Sequence, residues 1–497
     1  MRAFLCVAAL CGVALSAQAE FADYRFVPPA KADAAAARTT AQAENAASRY
    51  RQEAVPLYQI DDYAGQRKAL EQAAKGSALH VAAGADLGWE ADALFEKPER
   101  DQDAWVWRAA ISSVDATALR FQVDLSRLSH DETVWVVDIQ GAGAFGPYTA
   151  ADAEPGGRWL ATTEGDTAIL ELRSPRPELP FLALERLSHY YGDILPKQTP
   201  CPLSSDCVDD ITFQEVSTGI GRVTVTDESG NGALCSGALL NNALTDALEP
   251  FFLTADHCFQ DFPATIRASG VEVLWDVRTN GCPGAEPSNA QIAQMPRSTG
   301  ASFIANSTSL DAMLLTLGNV PIGNLGRAWL GWDTRAPRIN DFAAGIHHPR
   351  GTAMKASFGR VTDINVNTQF GSGQTTIRWS DGITEGGSSG SPVMFDDGAL
   401  RVFGMLSNGN FQSCANNEAR VDQYSSFQSF FSAIQASINS ENPVTSGQAV
   451  YRVNGSRGGG FEACFAPAPA SSQSNAGNAA LGALALLAML GAARRRP

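Results

Sequence analysis

The sequence predicts an all-β protein in two parts, a β-sandwich over about residues 78–195 and a second β-rich domain over 201–440. Three observations predict it. Short alternating apolar and polar runs recur with polar connections, the period-2 signature of half-buried strands. Gly, Ser and Asn turn signals punctuate the second half. Beyond residue 19, every cysteine lies at or after position 201, which confines disulfides to the second half and marks two separately built domains.

A chain of 497 residues is too long for one core, so several domains and processing segments are expected. The formal net charge of -16 argues against nucleic acid as a partner, because phosphate binding needs basic patches. Residues 1–19 read as a signal peptide. Arg2 supplies the positive start, residues 4–15 form a short apolar run, and Ala17-Gln18-Ala19 has the small-x-small form of a cleavage site. Export implies an oxidising compartment in which cysteines pair.

Residues 20–76 are rich in Ala, Gln, Arg and Glu, and 34–51 fits a surface helix or a flexible leader equally well. The sandwich strands then follow in order: Trp105 to Ile111, Leu119 to Val123, Val134 to Val137, Trp159-Leu160 and Ala168 to Leu172. This half holds His80, His130 and His189 without a motif for chemistry, and Trp105, Trp107 and Trp159 read as core. In the second half, Pro392-Val-Met-Phe395 reads as a strand. Phe427, Phe430, Phe431, Ile434 and Ile438 have helical spacing and predict a closing amphipathic helix. Residues 441–478 have stalk composition. The apolar run 479–493 followed by Arg494-Arg495-Arg496 reads as a membrane tether or sorting tail.

The chemistry can be found by counting histidines. Of six, three lie in the cysteine-free half, leaving His257, His347 and His348. His257 ends the apolar run Phe251-Phe-Leu-Thr-Ala-Asp-His-Cys258, where Cys258 can pair with Cys235 and hold the turn. Such a bridge contributes about 3 kcal/mol in the chain-entropy model. A base so placed needs a nucleophile, and Glu385-Gly-Gly-Ser-Ser-Gly-Ser-Pro392 offers one. Its glycines allow a tight loop with N–H groups aimed at one spot, those of Gly387 and Ser389 serving as oxyanion donors. Ser389 is the candidate; Ser388 and Ser391 are rivals that the residues alone leave open. The orienting acid is Asp311, a single carboxylate before the apolar strand Ala312-Met-Leu-Leu-Thr-Leu317. A strand-edge Asp facing water fits that position equally well.

As an ordered set, Thr254-Ala-Asp-His-Cys258, Asp311-Ala-Met-Leu-Leu and Gly386-Gly-Ser-Ser-Gly-Ser-Pro392 resemble the His, Asp and Ser motifs of trypsin-like serine proteases. They look closest to bacterial lysyl endopeptidases. Ala233-Leu-Cys-Ser-Gly-Ala-Leu-Leu-Asn-Asn242, Gly345-Ile-His-His-Pro349, Gly382-Ile-Thr-Glu385 and Val421-Asp-Gln-Tyr424 extend the likeness over roughly 201–436. The resemblance implies a two-barrel chymotrypsin-like domain with the triad His257, Asp311 and Ser389, the serine before Gly-Ser-Pro being the nucleophile. It also implies disulfides Cys201–Cys414, Cys207–Cys282 and Cys235–Cys258, leaving Cys464 over. The segment before Cys201 resembles a propeptide over 20–200, with Lys197 as a self-cleavage point. The tail resembles the GlyGly-CTERM type of sorting signal.

Cleavage after a basic residue needs a carboxylate at the pocket floor, for which Glu385, Glu418 and Asp422 are candidates. The resemblance favours Asp422. The chain departs from the family at Met405-Leu-Ser-Asn-Gly409, where Ser407 stands beside the pocket in place of an imidazole. Neither His-Glu-x-x-His nor Cys-x-x-Cys occurs, so no metal or cofactor is expected. The expected partners are protein or peptide substrates and the chain's own propeptide.

Overall fold

Alternation along two strands sets the first half. On Ala104–Ser113, Trp107, Ala109 and Ile111 share one face, and the antiparallel register sets them opposite Leu172, Leu170 and Ala168 of Thr167–Ser174. The next strand, Thr133–Asp138, continues that face with Val134 and Val136. A second sheet offers Leu119, Phe121 and Val123 from Ala116–Asp124 and Leu184 and Leu187 from Ala183–Tyr191. The two faces bury each other in one core, the packing of a sandwich. Trp107 and Trp159 are buried. The computed structural model describes residues 21–29, 57–60, 78–138, 143–191, 202–242, 248–260, 266–369, 371–409 and 420–438. The signal peptide, the 34–51 segment, Lys197, Cys201, Cys414, Glu418, Cys464, the stalk and the tail lie outside the described residues. Among the described residues, no helix is long and apolar enough to cross a membrane.

The second half contains two rings of six paired strands. In the first, Ile220–Thr226 pairs with Gly232–Leu239, which pairs with Phe251–Thr254, then Ala312–Leu317 and Ala301–Ser307. Gly300, at φ 84°, turns that last strand into Arg297–Thr299. Val271–Trp275 pairs with it and with Ile220–Thr226, closing the barrel. The second ring runs Phe342–His347, Lys355–Val366, Gln374–Asp381, Val421–Ser426, Val402–Gly409 and Pro392–Phe395, which pairs back to Phe342–His347. The largest core lies between the rings. Ala238, Leu240, Leu253 and Leu314 from the first meet Ala344, Ile346, Met394 and Met405 from the second. The helix Phe427–Ile438 adds Phe427, Phe430, Phe431, Ile434 and Ile438 to this core, the stripe its sequence spacing predicts.

The halves are not built as separate sheets. Leu79–Glu90 pairs on one side with Ala183–Tyr191 of the sandwich and on the other with Gly232–Leu239 of the first barrel. The cysteine distribution could not reveal this, because strand addition needs only an unpaired edge. Close approach is specified by glycine: a Cβ on Gly84 would lie 1.6 Å from Ser229 O. Arg120, fully buried on the sandwich, reaches across to donate to Ser269 O (2.6 Å), Gly270 O (2.9 Å) and Thr226 Oγ1 (2.9 Å). A buried guanidinium is tolerable only with its donors so occupied.

Arg120→Ala strands those carbonyls in a dry interface and is expected to cost about 2–4 kcal/mol in urea unfolding of the full chain. Arg186→Ala removes a largely exposed pair with Asp86 and a hydrogen bond to Gln122 Oε1 (3.0 Å), and is expected to cost less, about 1 kcal/mol.

Candidate active site

Strand register brings the base and its orienting acid together. Phe251–Thr254 runs antiparallel to Ala312–Leu317 with Thr254 opposite Met313, so the end of one strand lies beside the start of the other. Asp311 precedes the second strand, and His257 opens a short helix just past the first. The Asp311 carboxylate accepts from the His257 backbone N–H through Oδ1 (2.8 Å) and pairs with Nδ1 through Oδ2 (2.8 Å). Asp311 is 2% exposed, so the reading that left it facing water is excluded. Its φ of 53° is left-handed, a conformation Asp tolerates better than most residues. The Cys235–Cys258 disulfide fastens the helix to the neighbouring strand, and Cys207–Cys282 is also formed. Cys235, His257 and Cys258 cluster tightly, but both sulfurs are spent in the bridge and offer no thiolate to a metal.

Sequence reasoning left three serines, and their surroundings differ. Ser388 is buried; its hydroxyl shares a hydrogen bond with His347 Nδ1 (2.8 Å) and accepts from the Glu385 N–H (3.2 Å). His347 Nε2 in turn meets Ser357 Oγ (3.1 Å). Burial, aided by Lys355, lowers the His347 pKa to about 3, so this imidazole stays neutral and acts as a brace under the loop. Ser391 is fully buried as well. Ser389 keeps partial exposure, and its carbonyl accepts from Ser236 N–H (2.8 Å) and lies 4.0 Å from Cys258 Sγ, next to His257 in the chain. Gly387 and Gly390 take φ of 89° and 80°. Around the loop, the N–H groups of Ser388, Gly390 and Ser391 are spent on Glu385, Leu406 and Ser388 carbonyls. Among the described residues, the N–H groups of Gly387 and Ser389 donate to no protein acceptor, which leaves two donors for a ligand oxygen.

Asp422 sits on Val421–Ser426 between Ile377 and Gly409 of the flanking strands. Its Oδ2 accepts from Thr384 Oγ1 (2.6 Å) and from Trp379 Nε1. Burial raises its pKa to about 6, with those two donors opposing the rise. A Cβ on Gly409 would lie 2.1 Å from Asp422 Oδ1, so glycine there keeps one face of the carboxylate clear. Glu385, a rival for the pocket floor, is paired with Arg350 (3.0 Å). Ser407, expected beside the pocket, has a further partner: its Oγ donates to Asp311 Oδ2 at 2.5 Å. The sequence carries no signal for this contact, because it joins strands of different barrels. His348 is buried, with Nδ1 on Thr352 O (3.0 Å), and stands apart from the Asp311 cluster.

Comparison with known proteins follows the same region. Residues 197–425 match the family model described as lysyl endopeptidase, C-terminal domain. Lysyl endopeptidase of Pseudomonas aeruginosa is 27% identical over 294 residues, covering 56% of this chain. The chain spans 62% of that relative's length. Among solved structures, the HtrA-type protease AlgW with a tripeptide is 14% identical with a TM-score of 0.31, covering 47% of this chain and 64% of that one. The Rv3671c protease from M. tuberculosis in its active form is 15% identical with a TM-score of 0.32, covering 51% and 97%.

Loop geometry yields a matched pair of substitutions. Gly390→Ala adds a Cβ at positive φ and 2.2 Å from Thr254 Oγ1, and is expected to destabilise by about 3 kcal/mol in chemical denaturation. Gly386→Ala meets only the Leu79 side chain at 3.5 Å, an ordinary contact, and is expected to change stability by at most about 1 kcal/mol.

Proposed function

We propose that this chain, which over residues 197–425 belongs to the lysyl endopeptidase family, is an exported serine endopeptidase that cleaves after Lys or Arg. The observation that carries the reading is the His257–Asp311 pair beside a glycine loop whose Gly387 and Ser389 N–H groups are uncommitted. In the proposed reaction His257 takes the Ser389 hydroxyl proton as the oxygen attacks the peptide carbonyl, and the two N–H groups stabilise the oxyanion. Asp311 holds the ring and favours the imidazolium. That imidazolium gives its proton to the leaving amine, and water then repeats the sequence on the acyl-enzyme. Ser389→Ala is expected to lower kcat by more than ~10³-fold while the protein folds and is exported normally.

Asp422 supplies the proposed recognition of the substrate cation. Among the described residues, two hydrogen-bond donors and no cation meet this buried carboxylate, which is costly, and an incoming ammonium or guanidinium offsets that cost. The sandwich is proposed to be a propeptide, released by cleavage near Lys197, and the chymotrypsin-like name for the two barrels belongs to the same reading. The disulfides suit an extracellular protein.

The test uses matched peptides differing only at P1. Asp422→Asn is expected to cut kcat/KM for Lys and Arg peptides by at least ~10²-fold, about 2.7 kcal/mol, and to change an uncharged P1 peptide far less. Equal losses on both peptides contradict the assignment. Because the Asp422 pKa is raised to about 6, the carboxylate is neutral below that pH and charged above it. The wild-type ratio of kcat/KM for basic over uncharged P1 should therefore climb as pH rises through about 6. Titration of His257 affects both peptides and cancels from the ratio. A flat ratio in wild type contradicts the role of Asp422.

A further inference from the structure

Among the described residues, the two short strands Phe21–Ala22 and Arg25–Val27 pair with the two-ring half and not with the sandwich. Phe21–Ala22 pairs with Trp332–Asp333, and Arg25–Val27 pairs with Arg327–Trp329. Ala22, Tyr24 and Phe26 are buried in the core between the rings, together with Trp332, Ala328 and Leu330. Polar groups are matched as closely. Asp23 accepts from Arg401 Nε (2.7 Å), and its carbonyl accepts from Asn241 Nδ2 (2.8 Å). Tyr24 donates to Glu215 Oε2 (2.6 Å), and the buried Arg25 donates to Asn242 O (2.9 Å). The groove is shaped for this backbone: a Cβ on Gly331 would lie 2.4 Å from Ala22 O, and one on Gly326 2.4 Å from the Phe26 ring.

We propose that residues 21–27 are a resident strand of the peptidase, which stays in this groove, held without a covalent link, after the sandwich is cut away. The inference rests on the proposed reading of the sandwich as a propeptide. Releasing the sandwich requires cuts on both sides of it, and the first of these severs 21–27 from the rest of the chain. Expelling the strand would strip Ala22, Tyr24 and Phe26 from an apolar core and leave Arg401, Glu215, Asn241 and the Asn242 carbonyl without these partners. The sandwich instead meets the barrel through one strand edge, a small apolar cluster of Val81, Ala82, Ala118, Tyr190 and Leu234, and polar contacts centred on Arg120 and on Glu272, which Thr162 and Arg297 meet, a largely polar interface of the kind that can part. The seated strand also protects its own basic residue. Arg25 is 1% exposed and lies in paired backbone, so a protease selective for basic residues cannot reach the following bond. Lys31 and Arg38 are the next basic positions and the expected ends of the retained peptide.

The experiment is native gel filtration of the secreted, processed protein, followed by mass spectrometry of the catalytic peak under denaturing, reducing conditions. Protein that does not process itself is nicked with trypsin first. This separates the outcome from any failure of the peptidase reading, which activity assays report independently. The expected result is a stoichiometric peptide that contains 21–27, is intact across Arg25–Phe26 and ends at Lys31 or Arg38. Tyr24→Ala combined with Phe26→Ala is expected to lose the peptide during filtration and to lower the melting temperature of the cut enzyme. A catalytic fragment that elutes without the peptide, or a peptide that elutes with the released sandwich, overturns the proposal.

Discussion

The two-ring half depends on how one buried carboxylate is satisfied. Asp311 lies in a dry seam between the barrels, where an unpaired charge would cost several kcal/mol. Three donors answer it. The His257 backbone and ring come from its own barrel, and Ser407 comes from the other. Its own carbonyl accepts from Ser425 Oγ, on the second barrel as well. The carboxylate therefore orients the imidazole and holds the barrels in register at the same time, and a shift of one barrel would break both functions together. The apolar core between the rings, with the helix Phe427–Ile438 packed on it, makes that register rigid.

The loop opposite is braced by different means. Neutral His347 links Ser388 to Ser357, so the residue just before Ser389 is tied into the second barrel. Gly387 and Gly390 supply the left-handed turns that no residue with a Cβ would take without strain. With the neighbouring N–H groups consumed by carbonyls, those of Gly387 and Ser389 meet no acceptor among the described residues. Nothing in this brace needs a charged group, so loop geometry is insulated from pH over the range in which His347 remains neutral.

Much of this was legible in the sequence. His257 stood out because only three of the six histidines lie outside the cysteine-free half, and the helix Phe427–Ile438 showed in its apolar spacing. Strand positions such as Ala104–Ser113 and Pro392–Phe395 followed from alternation and turn residues. What was illegible is long-range. Choosing among Ser388, Ser389 and Ser391 requires knowing which hydroxyls are buried, and a Gly/Ser loop has no period from which to read it. Ser407 was read as a pocket residue, and its bond to Asp311 bridges 96 positions. Residues 21–27 were read only as part of the Ala-, Gln-, Arg- and Glu-rich stretch 20–76, because strands of two and three residues carry no pattern and gain their stability from the edges they join. The strand shared by sandwich and barrel was hidden for the same reason.

The central claim is that the groups around His257 and Asp311 activate one particular serine. The most direct measurement is labelling of the processed protein with a fluorophosphonate, followed by peptide mapping of the adduct. The adduct is expected on Ser389 alone, at one per chain, with labelling abolished in His257→Ala. An adduct on Ser388, Ser391 or another serine, or labelling that survives His257→Ala undiminished, would contradict the account.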